Sequence, residues 1–102
     1  MPPEQLVYLT TEQALADLPY FAKNFSRENW DVDLRPQSTP WIMLGGSYPG
    51  ARAAFTRDKY PETIYAAYAS SAPVHAQVNI SAYYDQVYRG MIAHGYGNCV
   101  KD

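Results

Sequence analysis

Residues 41 to 55 read Trp41-Ile42-Met43-Leu44-Gly45-Gly46-Ser47-Tyr48-Pro49-Gly50-Ala51-Arg52-Ala53-Ala54-Phe55. Four consecutive apolar residues suit a strand covered on both faces in a parallel sheet. A glycine turn carrying one serine follows, and then a helix-like alanine-rich stretch. Strand, sharp turn with serine, and helix form the pattern of a nucleophile elbow, which lifts a hydroxyl out of the sheet and sets amide donors beside it. Gly and Ser are also the ordinary residues of turns, so a plain strand-to-helix connection stays open as the other meaning of these residues.

Under the first meaning each turn residue has a task. Gly45 and Gly46 leave room where strand and helix crowd together, and Gly50 closes the turn. Ser47 is the candidate nucleophile. The Tyr48 amide is free to serve an oxyanion because the proline comes one residue later. Pro49 stands where a glycine is usual; at the first helical position it loses no needed donor, and it pushes Tyr48 away from helical angles. A second oxyanion donor normally comes from a loop after an earlier strand, and no such strand precedes Ser47.

Toward the carboxyl end, the helix is expected to run to about Tyr60, where Pro61 stops it. Ala51, Ala54 and Phe55 should face the sheet, and Arg52, Arg57, Asp58 and Lys59 should face water. Ile64 to Ala69 form a second apolar run ending in Ser70-Ser71-Ala72-Pro73. The whole is a right-handed βαβ unit. Ligands bind beyond the carboxyl ends of such strands, so Ser47 and the Ser70 to His75 loop are expected on one edge. From about Ile80 to His94, Ile80, Tyr83, Tyr84, Val87 and Met91 recur at helical spacing, and Gly95-Tyr96-Gly97-Asn98 ends the helix.

Toward the amino end, Thr10 is expected to cap a helix while the Gln13 side chain reaches back to it. Leu15, Leu18, Ala22 and Phe25 form the apolar stripe of that helix, and Pro19 is expected to kink or break it. The polar, turn-rich segment from Asn24 to Pro40 is a loop.

The only histidines are His75 and His94. In a sheet of this type the acid and the histidine follow the serine from later strands, so His75, after the very next strand, can lie near the site without being its base. His94 fits a charge partner at a helix carboxyl end, and Asp58 and Asp85 fit solvated helix positions.

A chain of 102 residues, 47% apolar, is one small globular domain. A hydrolase sheet of normal extent needs about 200 residues or more, so the chain is read as part of something longer. A net charge of -2 without a basic face excludes a nucleic-acid partner. No run approaches the ~20 apolar residues of a membrane span, and the start lacks the signal-peptide pattern. Cys99 stands alone, so neither an internal disulfide nor a cysteine-rich metal site can form; it is a buried or free thiol, or half of a disulfide completed elsewhere. Asn24-Phe25-Ser26 and Asn79-Ile80-Ser81 fit the N-glycosylation acceptor pattern and hint at a secreted parent. The ten tyrosines are spread over every segment, as packing residues are.

The run WIMLGGSYPGARAAFTRDKYPETIYAAYASSAPV, residues 41 to 74, resembles the prolyl carboxypeptidase-like serine peptidases, a family that includes dipeptidyl peptidase II, thymus-specific serine protease and secreted fungal proline-specific peptidases. YLTTEQALADL, residues 8 to 18, extends the match. The resemblance implies an α/β class and a partial α/β-hydrolase core over residues 1–79. Residues 80–102 would begin a helical cap, and Cys99 would be a family cysteine separated from its partner. It also implies hydrolysis after proline through an acyl-enzyme on Ser47, with Tyr48 as oxyanion donor, peptide substrates containing proline, and no metal or organic cofactor. The place implied is extracellular or lysosomal/vacuolar. The family's Asp and His come later in the chain and are not in this sequence, so the chain alone is expected to be inactive. Pro49 departs from the GGSYGG form of the animal enzymes. An esterase or lipase on the same fold, and a non-catalytic interaction module, are the alternatives; the sequence sets no oligomeric state.

Overall fold

The computed structural model describes residues 2–101. A short 3-10 helix, Pro3–Leu6, leads into α1, Thr11–Asn24. Thr10 has extended backbone, and its Oγ1 accepts from the Gln13 amide at 3.2 Å, satisfying one of the orphan donors at the helix start. The Gln13 side chain does not reach back as expected. Its Nε2 donates to Asp17 Oδ1 at 2.7 Å, one helical turn on.

Pro19 lies inside α1 and does not break it. Proline removes the donor that would serve the Leu15 carbonyl, but Pro19 is itself buried with Leu15 and Ala22. Packing of that stripe carries the helix through, as tertiary contact commonly outweighs local propensity. At the helix end Phe25 packs with Phe21 at 5.0 Å between centroids, and the Trp41 ring stands edge-on to both at 5.9 and 6.0 Å.

The loop before the sheet is organised by Asp33. Its carboxylate accepts from Arg35 Nε and Nη2, both at 2.8 Å, and from Ser38 Oγ at 2.7 Å. The Arg35 side chain, then Ser38 and the Arg35 amide, hold this carboxyl well below the usual carboxylate range. Thr39 Oγ1 donates to the Asp33 carbonyl and the Trp41 indole to the Leu34 carbonyl, each at 2.7 Å, which ties the loop to the first strand.

The sheet has two parallel strands, β1 (Trp41–Gly46) and β2 (Ile64–Ser70), joined through α2 (Tyr48–Lys59). Trp41 pairs with Ile64, but Ile42 pairs with Ala66, so Tyr65 is an extra residue on β2. At this bulge Arg57 Nε donates to the Tyr65 carbonyl at 3.0 Å. Arg52 Nη2 donates to the Ala14 carbonyl at 3.1 Å and joins α2 to α1. Both arginines were expected to face water; instead they satisfy backbone oxygens on neighbouring elements.

The buried face of α2 also differs in phase from the expected one. Ala51 is 3% exposed, Ala53 and Thr56 are fully buried, and Phe55 is 41% exposed. The close approach of Gly50 to β1 and β2 sets this phase, because positions three apart from Gly50 then share its face. Thr56 Oγ1 donates to the Arg52 carbonyl at 2.6 Å, so its buried hydroxyl is satisfied.

Among the described residues only one face of the sheet is covered. Ile42, Leu44 and Tyr68, neighbours on the other face by register, are 58%, 72% and 64% exposed, whereas β1 was expected to be covered on both. Helix α3 (Ser81–Ala93) buries none of its residues. It ends in a Schellman turn: Gly95, at φ 85°, donates to the Ile92 carbonyl and Tyr96 donates to the Met91 carbonyl, at 3.1 and 2.9 Å. The radius of gyration is 19.5 Å, against about 13 Å for a compact chain of this length.

Candidate active site

Ser47 joins β1 to α2 with φ 58° and ψ -131°. A residue with a Cβ rarely occupies such angles, at a cost of roughly 1–3 kcal/mol, and they cluster at active sites. Two close approaches impose the turn. A Cβ placed on Gly45 would lie 2.1 Å from the Pro49 carbonyl oxygen, and one on Gly50 would lie 2.9 Å from the Gly45 oxygen and 3.0 Å from the Ser70 oxygen. Strand and helix therefore meet backbone to backbone. Gly46 is different: a Cβ there meets nothing within 4 Å, so the room expected at both glycines is needed only at Gly45.

The amides around the turn can be accounted for one by one. Ser47 donates to the Ser70 carbonyl at 2.9 Å; Gly50 and Ala51 donate to the Ser47 carbonyl at 2.9 and 3.2 Å. Pro49 has no amide, and it occupies the second helical position rather than the expected first, since α2 begins at Tyr48. Among the described residues the Tyr48 amide has no acceptor. The Ser47 hydroxyl caps nothing, so a hydroxyl and one unused donor are presented side by side.

The bond from Ser47 to the Ser70 carbonyl puts the two strand ends on one edge. His75 lines a groove of about 540 Å³ with Ser71, Pro73 and Tyr83, and Ser47 is not among its walls. His94 caps the end of α3. Among the described residues neither imidazole is hydrogen-bonded to Ser47, and Asp58 and Asp85 are exposed.

Asn24, the last residue of α1, donates through Nδ2 to the Tyr20 carbonyl at 2.7 Å. Asn79 lies in the loop before α3, where its Oδ1 accepts from the Ser81 amide at 3.3 Å. Cys99 is exposed. Sequence reasoning did not single out the Ser70 carbonyl or the Ser71 backbone, which has φ 48°. A main-chain oxygen leaves no residue-type signal, and the only hint was the strand-end position of the two serines.

The family described as serine carboxypeptidase S28 matches residues 1–102. The human protein named thymus-specific serine protease is 39% identical over 97 residues, covering 95% of this chain and 18% of that protein. The "Probable extracellular serine carboxypeptidase" of Arthroderma benhamiae is 38% identical over 85 residues, covering 82% and 12%. The human protein named lysosomal Pro-X carboxypeptidase is 42% identical over 69 residues, covering 68% and 13%. The chain thus spans between 12% and 18% of the length of these relatives.

Proposed function

The chain belongs to the serine carboxypeptidase S28 family, and from that membership we propose that it carries the nucleophile of a serine peptidase acting after proline. The observation that carries this reading is the strained Ser47 beside the unused Tyr48 amide. Ser47 Oγ attacks the scissile carbonyl and loses its proton to a histidine supplied from later in a longer protein. The Tyr48 amide donates to the oxyanion, the amine leaves with the proton, and water then cleaves the ester on Ser47. The name Pro-X carboxypeptidase borne by one relative supports proline on the acyl side. Residues 1–79 are then part of an α/β-hydrolase core, and residues 80–102 begin a cap. The uncovered sheet face and the unburied α3 support that division. The extracellular and lysosomal names of relatives support one of those two locations, where Cys99 would find its disulfide partner outside this segment.

A full-length protein carrying this segment is expected to cleave a prolyl peptide roughly tenfold or more faster than its alanyl counterpart. The isolated chain is expected to show no burst with a proline ester, because among the described residues neither histidine is hydrogen-bonded to Ser47. Hydrolysis of a short acyl ester without peptide cleavage would favour the esterase alternative, and inertness toward both would favour an interaction module.

We further propose that Asn79 is the glycosylated asparagine of the two. Its Oδ1 accepts from the Ser81 amide and its Nδ2 has no partner among the described residues, whereas the Asn24 Nδ2 is held on the helix. Expressed through a secretory pathway, the protein should lose one N-glycosidase-sensitive mass increment in Asn79→Gln and none in Asn24→Gln. The reverse pattern sinks the assignment.

A further inference from the structure

Both strands of the sheet end on a serine forced into the left-handed region: Ser47 at φ 58° after β1 and Ser71 at φ 48° after β2. The two ends are linked, since the Ser47 amide donates to the carbonyl of Ser70, the residue joined to Ser71. Beyond Ser71 the chain packs back on the elbow. The Ala72 Cβ lies 3.2 Å from where a Cβ on Gly50 would stand, and the Val74 amide donates to the Ala72 carbonyl at 2.9 Å to turn the chain around Pro73.

These contacts fix both sides of one bond. Rotation about the N–Cα bond of Ser71 sets the plane of the Ser70–Ser71 peptide relative to everything after it. Were Ser71 to relax to a negative φ, either the Ser70 carbonyl would swing off the Ser47 amide or Ala72 would leave the Gly50 contact. No hydrogen bond uses the Ser71 hydroxyl among the described residues, so it is the backbone angle that matters.

We propose that Ser71 is a positioning residue for the acyl transfer: its left-handed backbone keeps the Ser70 carbonyl on the Ser47 amide, so that the Ser47 hydroxyl and the Tyr48 amide face the substrate together. This rests on Ser47 being the nucleophile. It adds a second strained position, just past the end of the other strand, to the one that the elbow itself requires.

The test uses the full-length protein, a fluorophosphonate that esterifies an activated serine with loss of fluoride, and a prolyl peptide. Glycine and asparagine accept φ above zero, alanine does so poorly, and a β-branched residue hardly at all. Ser71→Val is expected to slow labelling at Ser47 and lower kcat by roughly tenfold with KM little changed. Ser71→Gly and Ser71→Asn should stay near the wild-type rate. If the valine variant does not accumulate as folded protein, the order glycine and asparagine above alanine decides the matter. A folded valine variant labelled at the wild-type rate overturns the proposal, as does a glycine variant as slow as valine, which would make the hydroxyl the active part. Wild-type protein that is not labelled at Ser47 overturns the nucleophile assignment itself, and this inference with it.

Discussion

Ser47→Ala is expected to lower the kcat of the full-length protein by roughly four to six orders of magnitude, the scale on which loss of a serine nucleophile is felt when its partners remain. The structure makes this a clean experiment. A serine at a helix N-cap usually accepts a bond from the first turn, and its replacement then costs about 1 kcal/mol of stability. Here the Ser47 hydroxyl makes no such bond, and alanine meets the same backbone constraint as serine. Stability and KM should therefore stay close to wild type while turnover disappears. Peptide cleavage followed beside a denaturant titration separates the two quantities. Turnover above about one per cent of wild type would place the nucleophile elsewhere.

The second large effect is expected at Gly45. The Cβ of Gly45→Ala would stand 2.1 Å from the Pro49 carbonyl oxygen and 2.6 Å from the Gly50 amide nitrogen. Both atoms are backbone of the first turn of α2, and neither can swing aside as a side chain would. Relief requires moving the helix off the strand, which opens the small core around Ala51 and Ala53. A loss of about 3 kcal/mol or more is expected, enough to unfold a marginal domain. Gly46→Ala is the control: its Cβ enters open space, and the change should cost less than about 1 kcal/mol. Chemical denaturation of both variants reads the difference, and equal costs would mean that α2 does not lie against β1 as described.

Much of this arrangement was legible in the residues. The apolar runs at Trp41 and Ile64, the turn between them and the stop at Pro61 give β1, α2 and β2 nearly to the residue, because buried runs and backbone breakers are local signals. The capping role of Thr10 and the end of α3 at Gly95 were legible for the same reason. What escaped depends on contacts distant in sequence. Arg52 and Arg57 look like water-facing charges in a helical projection, yet they bond to Ala14 and Tyr65. Phe55 looks like a core residue and is 41% exposed, since the glycine contact rather than side-chain size sets the rotation of α2. Pro19 breaks an isolated helix far more readily than one packed along its proline face.

The extra residue at Tyr65 has a meaning for the far end of the strand. Side chains alternate along β2, so one residue more or fewer at its base exchanges the two faces all the way to Ser70. With the bulge, Gly45 pairs with Ala69 and Gly46 with Ser70; counted without it, Tyr68 would stand beside Gly45 and Ala69 beside Gly46. The segment from Tyr60 to Ser70 therefore works as a ruler. Its residue count, more than its chemistry, delivers the Ser70 carbonyl to Ser47, and the Arg57 bond to Tyr65 marks where that count is kept.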